Sequence, residues 1–174
     1  MITNKQLIEG FKVHYQNEPM KYFFTLFFRV GFINRLKISR SVMMFSRKLE
    51  SALVGKSAVK KGLKFSLLPV LEFTKSGLAH IHGTVGGNFK PHLDSRKIKS
   101  IVADIWKQQE GTIPTSSHNP TGDQWFKHID DPDAVISYMM KPTSDFPNIT
   151  DKWLIDAFKL AHPNEIKRSY VKRN

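Results

Sequence analysis

The chain has 174 residues, 40% of them hydrophobic and 24% charged, which suits one ordinary folded domain and is too short for two full enzyme domains. Lys+Arg 27 against Asp+Glu 15 leaves +12 with neutral histidines, a balance that points to a polyanionic partner. The absence of cysteine excludes disulfides, thiolate zinc sites and cysteine nucleophiles, leaves His, Asp and Glu as candidate metal ligands, and suits a reducing cytoplasm. The most apolar stretch, Tyr22 to Phe32, is interrupted by Arg29 and reaches about half of the roughly 20 residues a membrane-spanning helix needs. Met1-Ile-Thr-Asn-Lys5 does not lead into the apolar core of a signal peptide, so no membrane association is expected.

Nothing repeats, and Pro and Gly are spread as punctuation, so residues 1–174 read as a single domain. Lys21 to Val30, aromatic and apolar, predicts a buried first strand, with a short core helix as the alternative. From Ser39 as N-cap, Val42, Phe45, Leu49, Ala52 and Leu53 recur at helical spacing up to a stop at Gly55. The basic run Lys56, Lys60, Lys61 and Lys64 leads into a β-hairpin made of Phe65 to Phe73, a turn at Lys75-Ser76-Gly77, and Leu78 to Val85. Asp94 or Ser95 caps a helix whose Ile98, Ile101, Val102, Ile105 and Trp106 form one apolar stripe, with Arg96, Lys99 and Lys107 on the other face. Gly111 to Gly122 reads as a loop and Gln124 to Ile129 as a short strand. Asp131-Pro132-Asp133 opens a helix that Pro142 ends at Lys141. A last helix, Asp151 to Ala161 capped by Thr150, precedes a basic tail over 164–174.

His80 and His82 are two apart on the second hairpin strand, so both imidazoles share one face while Ile81 points to the other. A three-residue loop, a type I turn followed by Gly77 in the left-handed region, sets Glu72 opposite His80 and Val70 opposite His82. Glu72, His80 and His82 then form one patch, whereas a four-residue loop would turn Glu72 to the far side. Two imidazoles and a carboxylate suit a divalent cation and leave coordination positions open; the bland alternative is a solvated Glu with two surface His. Pro69, opposite Gly83, requires the outer side of its strand to be an edge or a bulge.

On the helix from Ala134 to Lys141, Val135, Ile136, Met139 and Met140 gather on one side, and Ala134, Ser137, Tyr138 and Lys141 on the other. Tyr138 and Lys141 are therefore neighbours on the unpacked face, a phenol beside an ammonium that would help it react. An exposed Tyr and Lys that happen to be adjacent is the bland alternative. The lysines and arginines of Lys56 to Lys64 and Arg96 to Lys107 are expected to form a patch beside the metal face, with Lys56, Lys60, Lys61, Lys64, Arg96 and Lys99 as candidate phosphate contacts.

Glu72-Phe-Thr-Lys-Ser-Gly77-Leu-Ala-His80-Ile-His82, followed by Tyr138-Met-Met-Lys141, resembles the HUH endonuclease superfamily, and within it the single-tyrosine rolling-circle replication initiators. Phe24-Thr-Leu-Phe27 is similar to the first of that family's three motifs, so the resemblance runs from about Tyr22 to Lys141. It implies an α+β fold with a central antiparallel sheet, the His strand inside it and helices on its faces, related to ferredoxin-like and RNA-recognition architectures. It also implies that Glu72, His80 and His82 bind Mg²⁺ or Mn²⁺, that Tyr138 attacks a phosphate of single-stranded DNA, and that Lys141 assists. The implied enzyme is a sequence-specific nicking and joining endonuclease that initiates rolling-circle replication of a plasmid or phage-like replicon through a 5′-phosphotyrosine, in the cytoplasm of a prokaryotic host. Its implied partners are single-stranded DNA at an origin hairpin and, because the chain has no Gly-x-x-x-x-Gly-Lys-Ser/Thr loop, a host helicase and polymerase. A single-tyrosine transposase of the same superfamily is the alternative, with Lys three residues after the tyrosine favouring the initiators. A non-catalytic DNA-binding regulator on the same scaffold is a second.

Overall fold

The computed structural model of the chain describes residues 20–115 and 122–141, with 5–6, 8–9 and 12–13 near the start. Strand β1 (Met20–Phe27) is followed by α1 (Arg35–Leu53), the short α2 (Lys56–Lys60), β2 (Phe65–Phe73), β3 (Ala79–Gly87) and α3 (Ser95–Trp106). A 3-10 turn (Gly122–Trp125) then leads into β4 (Phe126–His128) and α4 (Pro132–Met140). The strands form one antiparallel sheet in the order β2-β3-β1-β4, so the fold is α+β and the His strand lies inside the sheet, as expected. The expected helix from Asp151 to Ala161 and the tail over 164–174 lie outside the described residues. Among the described residues, no helix is long and apolar enough to cross a membrane.

Both faces of the sheet are covered, which is why β2 and β3 read as near-continuous buried runs rather than clean alternations. On the larger side, Phe24 and Leu26 of β1, Leu67 and Leu71 of β2, and Ile81 and Val85 of β3 pack under α1 and α3. Helix α1 contributes Val42, Phe45 and Leu49, and α3 contributes Val102 and the fully buried Trp106. On the smaller side, Leu68 and Val70 lie under Ile136, Met139 and Met140 of α4, with Met20 and Ile129. The period-two alternation thus divides the hydrophobic residues between two clusters, and the smaller one anchors the helix that carries Tyr138.

Several boundaries differ from the sequence expectation for local reasons. Helix α1 starts at Arg35, not after Ser39, because the Asn34 side chain accepts from the Lys37 N–H at 3.1 Å and Arg35-Leu36-Lys37 are good helix formers. Asp94 is the cap of α3, accepting from Lys97 N–H at 2.8 Å. The expected strand from Gln124 to Ile129 is realised only over Phe126–His128, its first residues being taken into the 3-10 turn. Helix α2, unforeseen within the basic run, tucks Ala58 and Val59 against the larger core. Helix α4 has Pro132 at its first position, is capped by Asp131 at 3.0 Å from Ala134 N–H, and ends where Lys141 turns extended before Pro142.

Pro69 sits opposite Gly83 on β2, the outermost strand, so its missing N–H faces an open edge. Gly83 has a separate role: a Cβ there would fall within the ring of Phe24, which crosses the middle of β3 beneath it. The His strand can therefore lie flat on the aromatic core only with no side chain at that position. Gly83→Ala should lower the urea midpoint by the equivalent of about 1–3 kcal/mol with little change in the denaturant slope, as measured by equilibrium unfolding.

Candidate metal centre

The turn between β2 and β3 has the expected geometry. Gly77 N–H donates to Thr74 O at 2.8 Å, Thr74 N–H donates to Leu78 O at 3.0 Å, and Gly77 has φ +78°. The Thr74 hydroxyl accepts from Leu78 N–H at 3.0 Å and braces the turn. Glu72 is accordingly opposite His80 and Val70 opposite His82, which brings Glu72, His80 and His82 onto the smaller face of the sheet.

All three side chains are buried. The His80 and His82 Nε2 atoms are 3.2 Å apart, and one Glu72 carboxylate oxygen is 3.9 Å from the first and 3.5 Å from the second. Ligand atoms of the three residues lie within 4.8 Å of one another, and among the described residues this is the one such cluster. The donor set fits a divalent ion: two imidazole nitrogens and a carboxylate converge, and a cation offsets the cost of holding the carboxylate out of water. Imidazole donors suit Mn²⁺ or Zn²⁺ better than Mg²⁺, which prefers oxygen.

Strand β1 supplies the support beneath these ligands. Thr25 is opposite His82 and Phe27 opposite His80. The Phe27 ring lies against His80 with centroids 5.1 Å apart, and Phe23 lies against His82 at 5.5 Å, both nearly parallel. Thr25 Oγ1 is 2.9 Å from His82 Nδ1. Metal binding through Nε2 requires the tautomer with hydrogen on Nδ1, and Thr25 is the acceptor that this hydrogen meets.

Helix α4 brings the second motif to the same place. The Tyr138 hydroxyl is 3.5 Å from His82 Nε2, across a sequence gap of 56 residues, and its ring packs edge-on to His82 and Phe23. Tyr138 is 46% exposed, so one side of the phenol stays open to solvent. Burial, and after it the negative charge of Glu72, hold its hydroxyl above the ordinary tyrosine pKa. Lys141 lies with Nζ 5.0 Å from the centroid of the Tyr138 ring, over its face.

The other candidate contacts do not gather beside this cluster. Lys64 is eight residues before Glu72, about 26 Å away along an extended strand, and α2, with Lys56 and Lys60, packs on the opposite side of the sheet together with the Lys61 that ends it. Arg96 and Lys99 belong to α3, also on that side, where Lys99 Nζ sits 5.5 Å from the Trp125 ring centroid. The patch expected beside the metal face is therefore not formed by these groups, because α1, α2 and α3 all pack on the larger core.

Sequence reasoning assigned no role to Thr25. Its signal was a small polar side chain inside the aromatic and apolar run Tyr22-Phe-Phe-Thr-Leu-Phe-Phe28, since a buried hydroxyl in such a strand needs a partner. Compared with protein-family models, with curated proteins and with solved structures, the chain matches none. Thr25→Val, which keeps the shape and removes the acceptor, should weaken Mn²⁺ or Zn²⁺ binding by about tenfold to a hundredfold while Thr25→Ser stays near wild type, as read by calorimetric titration.

Proposed function

We propose that the protein is a metal-dependent single-stranded DNA endonuclease with an HUH-type fold, which nicks and rejoins DNA through a tyrosine linkage in the manner of rolling-circle replication initiators. One observation carries this reading: a tyrosine from a separate helix, 56 residues along the chain, converges on the Glu72, His80 and His82 cluster with its hydroxyl 3.5 Å from His82 Nε2. A metal cluster needs no such neighbour for structure alone, whereas a phosphoryl transfer needs a nucleophile beside a Lewis acid.

Each residue then has a task. Glu72, His80 and His82 would hold a divalent cation, Mn²⁺ more readily than Mg²⁺, which when bound would supply polarisation of a phosphoryl oxygen. Thr25 keeps His82 in the ligating tautomer, and Phe23 and Phe27 fix the planes of the two imidazoles. Tyr138 forms a new bond from its oxygen to phosphorus as the bond from phosphorus to the 3′ oxygen breaks; the phenolic proton is lost and the departing oxygen gains one, leaving a 3′-hydroxyl and a 5′-phosphotyrosine. Because one phosphoester replaces another, the step can reverse and rejoin ends. Lys141, over the phenol ring, steadies its orientation and adds positive charge for the DNA backbone. The +12 charge supports a nucleic-acid substrate, although the basic groups of α2 and α3 reach it only as a distant path across the protein.

Replication initiation at an origin, with host helicase and polymerase as partners and a plasmid or phage-like replicon as the setting, follows from the motif resemblance. A transposase would use the same centre, and mapping the cleaved DNA separates an origin nick from excision of a flanked element. With a pool of single-stranded oligonucleotides and Mn²⁺, the wild type should give a mobility shift that survives denaturation. Tyr138→Phe should abolish the adduct while leaving single-strand affinity near wild type. Lys141→Ala should slow its formation only a few-fold, as expected for loss of a contact worth about 0.5–1 kcal/mol. Absence of any covalent adduct with the wild type would favour a DNA-binding regulator.

A further inference from the structure

The separations of His82 from Glu72 and from Tyr138 are long for hydrogen bonds and match the edges of a coordination tetrahedron. Hydrogen bonds of the O–H type cluster near 2.7–2.8 Å, and N–H bonds near 2.9–3.0 Å. The contacts here are 3.2 Å from His80 to His82, 3.5 Å from Glu72 to His82, 3.9 Å from Glu72 to His80, and 3.5 Å from the Tyr138 oxygen to His82. Four ligands placed tetrahedrally at about 2.0–2.2 Å from a common centre are separated by about 3.3–3.6 Å. The Tyr138 oxygen thus stands from His82 at the separation of a fellow ligand, and the same distance is too long for a strong hydrogen bond.

The surroundings agree. Phe23 touches both Tyr138 and His82, and Lys141 lies over the Tyr138 ring, contacts that together orient the phenol. Met139 and Met140, buried against the sheet, fix the helix rotation that sets Tyr138 at the edge of that contact.

We propose that Tyr138 is the fourth ligand of the metal in the substrate-free protein, so that the resting centre is a closed tetrahedral set of Glu72, His80, His82 and Tyr138. The inference rests on the metal-centre reading of the cluster and goes beyond it. On metal binding, the phenolic O–H bond breaks, its proton passes to solvent, and the oxygen lone pair forms the new bond to the ion; nothing is oxidised or reduced. The centre then lacks the open position that three protein ligands alone would leave, and a phosphate oxygen gains access only by adding a fifth ligand or by taking the phenolate's place. With its outer side in solvent, Tyr138 can release without opening the core. Holding the nucleophile on the metal until DNA arrives would keep water and free anions from the site.

The test is a titration of the full chain with Zn²⁺, which has no absorption of its own in the visible or near ultraviolet, followed by the ultraviolet difference band of tyrosinate and by calorimetry. The wild type should show one tyrosinate per bound ion. Tyr138→Phe should show none and should bind Zn²⁺ about tenfold more weakly, while Glu72→Ala should lose most of the binding. Zn²⁺ binding that depends on Glu72, with no tyrosinate signal and no change in affinity for Tyr138→Phe, would overturn the fourth-ligand assignment and leave the metal centre standing. Unaltered binding by Glu72→Ala, with no tyrosinate signal, would overturn both. The wild-type difference spectrum needs no variant, so the result does not depend on how well any variant folds.

Discussion

Everything at the centre of this protein depends on a pairing register, and the register depends on one backbone conformation. Side chains alternate across a strand, so a slip of one residue between β2 and β3 would send Glu72 into the larger core and Leu71 onto the metal face. The turn at Lys75-Ser76-Gly77 prevents this by placing a glycine where φ is +78°. A buried carboxylate beside two buried imidazoles is acceptable only in that register, where a cation can offset its charge. In the slipped register the same carboxylate would be unpaired among leucines and phenylalanines, at a cost of several kcal/mol. Turn and ligand set therefore favour one pairing.

The sheet's two faces carry different loads. The larger, aromatic side, built on α1 and α3, contains Phe24, Phe45 and Trp106 in edge-to-face contact, and it contains none of the metal ligands. The smaller side has a short row of apolar contacts to α4 and then, farther along the same strands, the polar cluster. The main core and the polar cluster are thereby separated by the thickness of a sheet. The separation also explains why the charged faces of α2 and α3 lie away from the cluster: these helices belong to the stabilising side.

Local signals were legible where short-range geometry settles the outcome. Gly77 specified the hairpin register, Asp131-Pro132 the start of α4, and the pattern Ile136, Met139, Met140 the face that packs, leaving Tyr138 outward. Non-local pairing was less legible. Nothing in the composition of β1 states that it lies beside β3, and the position of Thr25 under His82 follows only once that pairing exists. The antiparallel sheet and the interior place of the His strand came from the motif resemblance, not from periodicity, and the full strand order is legible in neither. Helix α2 was hidden by its lysines and its brevity, and the true start of α1 by an Asn cap that competed with a plausible Ser. The convergence of Tyr138 on His82 lay beyond spacing arguments, since two amphipathic elements can pack in many rotations with the same apolar stripes.

A chain without cysteine has no covalent means of fastening distant segments, and here an ion can stand in for one. Its proposed ligands would come from β2 and β3 and, with Tyr138, from α4, an element otherwise held by a small methionine-rich contact. An ion bound only by the native state adds stability that grows with its free concentration, about 2.7 kcal/mol at a hundredfold excess over its dissociation constant. The seating of α4 would then respond to metal supply: firmly tied down in a metal-replete cell and looser under chelation. The helix bearing the phenol would serve as a sensor of ion occupancy as well as a carrier of the proposed nucleophile.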